Sequence, residues 1–176
     1  KAKQLAPNSL IPYQALINRL EQEKDLAAAR GYAQEVIRRF PNAAAAYQSK
    51  VCRFYSEEGF LKQTITACLE AIKREPNNAD NHVFLAKAYV DREDSKLGEV
   101  KVNDAAMRFP ASYNAQATAG QISFDKKNFL LAYKYFSRAL ALAPRSTSAL
   151  LGYAKAAVEI DRKQEAADKL YTLCLI

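Results

Sequence analysis

The chain has 176 residues, of which 49% are hydrophobic and 26% charged, a composition typical of a folded globular protein and unlike that of a disordered one. No apolar run approaches the roughly 18 residues that a membrane span requires, so we expect no transmembrane segment. The net charge of +7 admits a polyanionic partner.

Five of the six prolines recur at a nearly constant interval along the chain. They are Pro7, Pro41, Pro76, Pro110 and Pro144, separated by 34, 35, 34 and 34 residues. Proline lacks a backbone N–H and disfavours helix at the residue before it, so each of these prolines is expected to end a helix. A period of this length is typical of a helical repeat array.

Apolar residues at three- and four-residue spacing predict a pair of helices between successive prolines. In chain order the predicted pairs are 11–23 with 26–40, 45–57 with 60–75, 79–92 with 95–109, 113–127 with 128–144, and 147–160 with 163–176. Segment 1–9 is predicted to be the tail of a preceding repeat. The apolar C-terminal finish lacks the polar cap of a terminal repeat, so we expect either a piece of a longer array or ends covered by a partner or a second copy.

Small residues recur where the two helices of each pair would cross. With each closing proline counted as position 32, the repeats are 10–44, 45–78, 79–112, 113–146 and an incomplete 147–176. Positions 8, 20 and 27 then read Ile17, Cys52, Ala86, Gly120 and Ala154; Ala29, Thr64, Gly98, Ala132 and Ala166; and Val36, Ala71, Ala105, Ala139 and Leu173. Twelve of these fifteen are Ala, Gly, Cys or Thr, which allow close approach of two backbones.

On these residues the chain resembles the tetratricopeptide repeat (TPR) family over essentially its whole length. It departs from the family pattern in lacking Trp at position 4 and in the bulkier crossing residues Ile17, Val36 and Leu173. The resemblance implies an all-α fold, a right-handed α-α superhelix of about five helix pairs forming a single array.

The resemblance also implies that the first helix of each pair lines a concave groove that binds a partner peptide. The groove residues so predicted are Gln14, Asn18, Ser49, Arg53, Val83, Lys87, Val90, Asn114, Ala117, Gln121, Phe124, Leu151 and Lys155. Two interpretations of the cations in this set remain open. Arg53 and Lys87 bind an acidic segment, or Arg53, Lys87 and Lys155 pair within their own helices with Glu57, Asp91 and Glu159, four residues further on.

The residue types that carry catalysis or bind metal are sparse. His82 is the only histidine, no His/Cys spacing suits zinc, and no Gly-rich phosphate loop is present. We therefore expect no enzymatic activity and no cofactor. Cys52, Cys68 and Cys174 form an odd set, for which free core thiols are favoured, while a Cys52–Cys68 pair stays open.

The expected function is a protein–protein interaction scaffold, part of a larger bacterial assembly, pilus, secretion or polysaccharide-export protein. The alternatives are a regulatory or targeting region of a larger enzyme such as a transferase and, less favoured, an RNA-binding solenoid. Nucleic acid is not the expected partner, because much of the positive charge lies in the last helical turns before the prolines, where cations complement the helix dipole. Self-association through uncapped ends stays open, as does location in the cytoplasm or the bacterial periplasm and outer membrane.

Overall fold

Helices make up all the regular structure of the residues that the computed structural model describes, 9–92 and 95–175. The α-helices are α1 (Ile11–Gln22), α2 (Leu26–Arg39), α3 (Ala44–Glu57), α4 (Leu61–Arg74), α5 (Ala79–Asp91), α6 (Ser95–Arg108), α7 (Tyr113–Asp125), α8 (Phe129–Leu142), α9 (Thr147–Glu159) and α10 (Lys163–Cys174). A short 3₁₀ turn, Pro41–Ala43, precedes α3. Each bound lies within two residues of the predicted one. The predicted tail 1–9 lies outside the described residues except for Ser9.

The chain divides into two compact units, Lys1–Ser95 (unit 1) and Lys96–Ile176 (unit 2). In unit 1 the consecutive helices α1 to α5 pack on one another, and α3 also contacts α5. In unit 2 the same holds for α7 to α10, where α7 also contacts α9. The first helices α3 and α5 of unit 1 are therefore neighbours, as are α7 and α9 of unit 2.

The prolines end the second helices by fixing the backbone of the residue before them. Phe40, Glu75 and Ala143 cap α2, α4 and α8, with φ and ψ of −126° and 79°, −128° and 74°, and −139° and 81°. These values lie outside the helical region, as expected when a proline ring follows. The regular spacing of prolines is thus a regular spacing of helix ends.

The turns inside four of the five helix pairs also share one conformation. Lys24, Gly59, Lys127 and Asp161 all stand at position 15 of their repeats and have φ of 61°, 77°, 59° and 59°. This left-handed conformation costs a non-glycine residue more than glycine. The turn is supported by the next helix start, where the side chains of Asp25 and Asn128 accept hydrogen bonds from backbone N–H groups.

The predicted crossing positions form much of the core. Fourteen of the fifteen residues at positions 8, 20 and 27 are buried, and Leu173 is half-buried. Larger apolar side chains fill the space around them, with Tyr13 and Phe54 in unit 1 and Phe136 and Leu150 in unit 2. The small residues therefore do what the repeat pattern predicts, because they let paired helices approach closely.

The expectation of three free thiols is wrong. Cys52 and Cys68 form a disulfide between α3 and α4, with a Cα–Cα distance of 4.7 Å, and both are fully buried. Cys174 is free and exposed. The two half-cystines are brought together because positions 8 and 24 face each other across the helix pair, a relation that composition and cysteine count do not reveal.

Candidate partner-binding surfaces

The predicted groove residues all lie on first helices, but they differ in accessibility. In unit 1 they are on α1, α3 and α5, and in unit 2 on α7 and α9; we call each of these two sets of side chains the first-helix face of its unit. Exposed members are Gln14, Asn18, Lys87, Asn114, Gln121, Leu151 and Lys155, and half-buried members are Ser49, Arg53, Val90, Ala117 and Phe124. Val83 is only 4% exposed and belongs to the core, so it is not available to a partner.

Arg53 is held by carboxylates on two helices. Its guanidinium lies 2.9 Å from Glu21 on α1 and 3.4 Å from Glu57 one turn away on α3. Lys50 also contacts Glu21, at 2.6 Å. Partial burial raises the pKa of Glu21, but hydrogen bonds from Lys50 and Arg53 outweigh it and hold that pKa below its ordinary value. Arg53 is thus already paired and is a weak candidate for partner recognition.

Ser49 is likewise occupied by its neighbours. Its hydroxyl donates to Glu75 Oε2 at 2.6 Å and accepts from Asn81 Nδ2 at 2.8 Å. Asn81 is 1% exposed and was not singled out by the sequence pattern. The pair ties α3 to α5 beneath a shallow concavity of about 170 Å³, on which Phe84 and Asp80 also border.

Lys87 and Lys155 differ from Arg53. Both are exposed, and among the described residues neither side chain forms an ion pair. The intrahelical pairing expected for the three cations therefore forms for Arg53 with Glu57, and does not form for Lys87 with Asp91 or for Lys155 with Glu159. Of the three cations, these two lysines are the ones open to a partner's carboxylates.

In unit 2 the exposed side of α9 carries a stripe of mixed character. Leu151, Lys155 and Val158 follow one another at four- and three-residue spacing, and the two apolar members are 41% and 47% exposed. On the neighbouring α7, Gln121 donates to Asp125 at 2.8 Å. Phe124 packs edge-on against Phe129 with ring centroids 5.3 Å apart, so part of its ring belongs to the α7–α8 contact.

The single histidine of the sequence makes a local backbone contact. His82 Nε2 lies 3.0 Å from the carbonyl oxygen of Pro76, a local contact at a helix start. Within the described ranges no group of three or more His, Cys, Asp or Glu side chains could hold a metal ion. None of the helices in those ranges combines the length and the apolar character needed to cross a bilayer.

Comparison with known proteins gives a likeness in fold at low sequence identity. No protein-family model matches the chain, and no curated protein matches it. Among solved structures, MamA from Desulfovibrio magneticus RS-1 is 15% identical with a TM-score of 0.71, over 92% of this chain and 91% of that one. PilF of Pseudomonas aeruginosa is 15% identical with a TM-score of 0.78, over 93% and 74%.

A third structure, YrrB, is described as a TPR protein with an unusual peptide-binding site. It is 17% identical with a TM-score of 0.63, over 98% of this chain and 88% of that one. These likenesses and the ten described helices agree with the repeat pattern read from the prolines and the crossing residues. The chain has the all-α, TPR-like fold of paired helices.

Proposed function

We propose that the chain is a non-enzymatic interaction scaffold whose units each bind a partner protein segment on the first-helix face. The observation that carries the proposal is the stripe of Leu151, Lys155 and Val158 on α9. Two large apolar side chains and a cation without an ion pair among the described residues are exposed on a helix whose opposite side packs in the core. Exposed apolar groups beside a cation suit a partner segment with apolar and acidic side chains.

The same face of unit 1 is more polar. Gln14 and Asn18 on α1 and Lys87 on α5 are exposed there. Within unit 1, a partner segment would meet hydrogen-bonding groups and one free ammonium. Affinity would come from the apolar contacts and selectivity from the lysines, because charged groups contribute more to partner choice and association rate than to affinity.

Charge reversal tests this directly. The double variant Lys87→Glu, Lys155→Glu should lose capture of the partner from lysate of the source cells while keeping its helical circular dichroism. The matched control, Lys101→Glu with Lys134→Glu, changes two exposed lysines on the second helices α6 and α8 and should retain capture. Equal capture by both double variants would contradict binding along the first-helix face.

At a finer level, we propose that the partner belongs to a bacterial assembly such as a pilus, secretion or polysaccharide-export system. The Ala-rich second helices, including the QEAADKL segment of α10, resemble those of such arrays. The regulatory region of a larger enzyme is the alternative. Mass-spectrometric identification of the captured protein distinguishes them, and capture that vanishes on nuclease treatment would instead indicate RNA.

A further inference from the structure

A second surface, separate from the first-helix face, is a groove on the second-helix side of unit 1. It has a volume of about 710 Å³, its walls are α2 and α4, and its floor is α3. Four of its eleven lining residues are apolar or aromatic, namely Ile37, Val51, Tyr55 and Ala67, and the other seven are polar or charged. Val51 and Ala67 are neighbours in sequence of Cys52 and Cys68, so the disulfide fixes the floor to one wall.

In the last repeat a tyrosine stands at the position of Val51. Val51 stands at position 7 of its repeat, and position 7 of the last repeat is Tyr153. Tyr153 is 6% exposed, its ring lies 4.7 Å from that of Tyr133, and its hydroxyl lies 2.7 Å from Glu165 Oε2. These neighbours lie on α8 and α10, the helices that correspond to α2 and α4. Position 7 thus carries the aromatic ring of Tyr153 in the last repeat, whereas in the second repeat it carries Val51, which lines an open groove.

The charges around the groove are unbalanced. Arg38 on α2 and Lys62 on α4 border it and are exposed, and among the described residues neither forms an ion pair. The one carboxylate in the lining, Glu70, is neutralised by Lys73 at 3.0 Å. The groove thus presents an apolar floor between two unpaired cations, which is complementary to an aromatic side chain flanked by carboxylates.

We infer that this groove is a second docking site, and that its occupant is an acidic partner segment that inserts one aromatic side chain over Val51. The inserted ring takes the place that Tyr153 takes in unit 2, and the flanking carboxylates meet Arg38 and Lys62. An aromatic anchor in a desolvated pocket, surrounded by weaker polar contacts, is the usual source of affinity at such sites.

The test is a titration of the ¹⁵N-labelled full chain with the peptide acetyl-Glu-Glu-Tyr-Leu-Glu-Glu-amide, followed by amide chemical shifts. The largest shifts should fall on Ile37, Tyr55 and Ala67. Replacing the peptide's tyrosine by alanine should weaken binding at least about tenfold. Replacing its glutamates by glutamine should remove most of the salt dependence of the affinity.

Two protein variants keep the inference falsifiable. Val51→Tyr fills the groove from within and should abolish the shifts. If that variant fails to fold, Arg38→Glu with Lys62→Glu should abolish them too, whereas the control Lys134→Glu with Arg145→Glu should not. Shifts confined to the first-helix face, or equal shifts with the alanine peptide, would overturn the inference. Groove shifts that grow with protein concentration alone would assign the groove to a second copy and overturn it as well.

Discussion

Replacement of Gly152 by alanine should destabilise the protein, although Gly→Ala inside a helix normally stabilises it. A Cβ atom at Gly152 on α9 would lie 2.4 Å from Cζ and 2.5 Å from Cε1 of Phe136. Phe136 is 3% exposed, and its ring also faces Gly120, where a Cβ would lie 3.0 Å away. Because the ring is confined between two helices, it cannot move aside without disturbing one of them.

The size of the effect follows from two opposing contributions. Overpacking of a well-packed core costs about 1–3 kcal/mol, and a contact this short around a confined ring belongs at the upper end. The gain in helix propensity from Gly to Ala is about 1 kcal/mol. We therefore expect Gly152→Ala to lower the free energy of unfolding by about 2 kcal/mol.

Gly31 on α2 offers a matched control. It is exposed and helical, and a Cβ there would meet no atom within 4 Å. Gly31→Ala should therefore raise the free energy of unfolding, by up to about 1 kcal/mol. Both variants are compared with the parent chain by urea unfolding monitored by circular dichroism at 222 nm.

A double-mutant cycle identifies the cause. Phe136→Leu replaces the aromatic ring by a smaller side chain, so it should lower the free energy of unfolding less in the Gly152→Ala background than in the parent chain. If Gly152→Ala were neutral or stabilising like Gly31→Ala, or if the two substitutions were simply additive, the packing of Phe136 against α9 described above would be refuted.

Three further predictions concern individual contacts. Thiol titration of the native, unreduced chain should find one reactive thiol, Cys174, and three reactive thiols would contradict the Cys52–Cys68 disulfide. The double variant Cys52→Ser, Cys68→Ser should lower the free energy of unfolding by about 3 kcal/mol, because the lost disulfide spans a sequence separation of 16 residues. Glu21→Gln should destabilise the chain at pH 7 by about 1 kcal/mol. The pKa of Glu21 is depressed in the folded state, so the stabilisation by its carboxylate is present above the ordinary pKa of 4.5 and is lost as the pH falls through the folded-state pKa. The difference between the urea midpoints of parent and variant should therefore shrink as the pH is lowered below 4.5, and a difference that stays constant on acidification would rule out the ionic cause. Arg30→Lys should cost about 1–2 kcal/mol, because the guanidinium spans both oxygens of Glu58, at 2.7 and 3.3 Å, and stacks 4.3 Å from the ring of Tyr55; an unchanged urea midpoint would contradict this.

The helices and their pairing could be predicted from sequence because the signals are local. Proline acts on the residue before it, so Pro41, Pro76 and Pro144 mark helix ends without knowledge of the tertiary structure. The small residues at positions 8, 20 and 27 act through a single helix crossing that recurs in every repeat. A feature repeated five times along the chain is visible in one sequence.

The disulfide could not be predicted from the cysteine count, but the repeat register contains its signal. Cys52 and Cys68 stand at positions 8 and 24, and in the fourth repeat Gly120 and Phe136 occupy the same two positions and contact each other. One pair of facing positions thus accommodates a disulfide in one repeat and a ring against a glycine in another. Positions 8 and 24 face each other in both repeats, whereas the residue types at these positions differ between the repeats.

The candidate site was predictable in outline only. The register placed the predicted groove residues on first helices, as the structure does. It could not show that Val83 belongs to the core or that Glu21, from the preceding repeat, forms an ion pair with Arg53. Which cations remain free depends on rotamers and on charges from neighbouring helices. For this reason the sequence favoured Arg53 and Lys87 together, while the structure leaves Lys87 and Lys155.

The central claim, that a partner lies along the first-helix face, is tested most directly by site-specific photo-cross-linking. A photoreactive phenylalanine analogue is placed at Leu151 on α9 or, as the control, at Leu142 at the end of the second helix α8; the two leucines are 41% and 43% exposed. We expect a discrete cross-linked partner from Leu151 in source-cell lysate and none from Leu142. The same partner cross-linked equally from both positions, or from Leu142 alone, would contradict it.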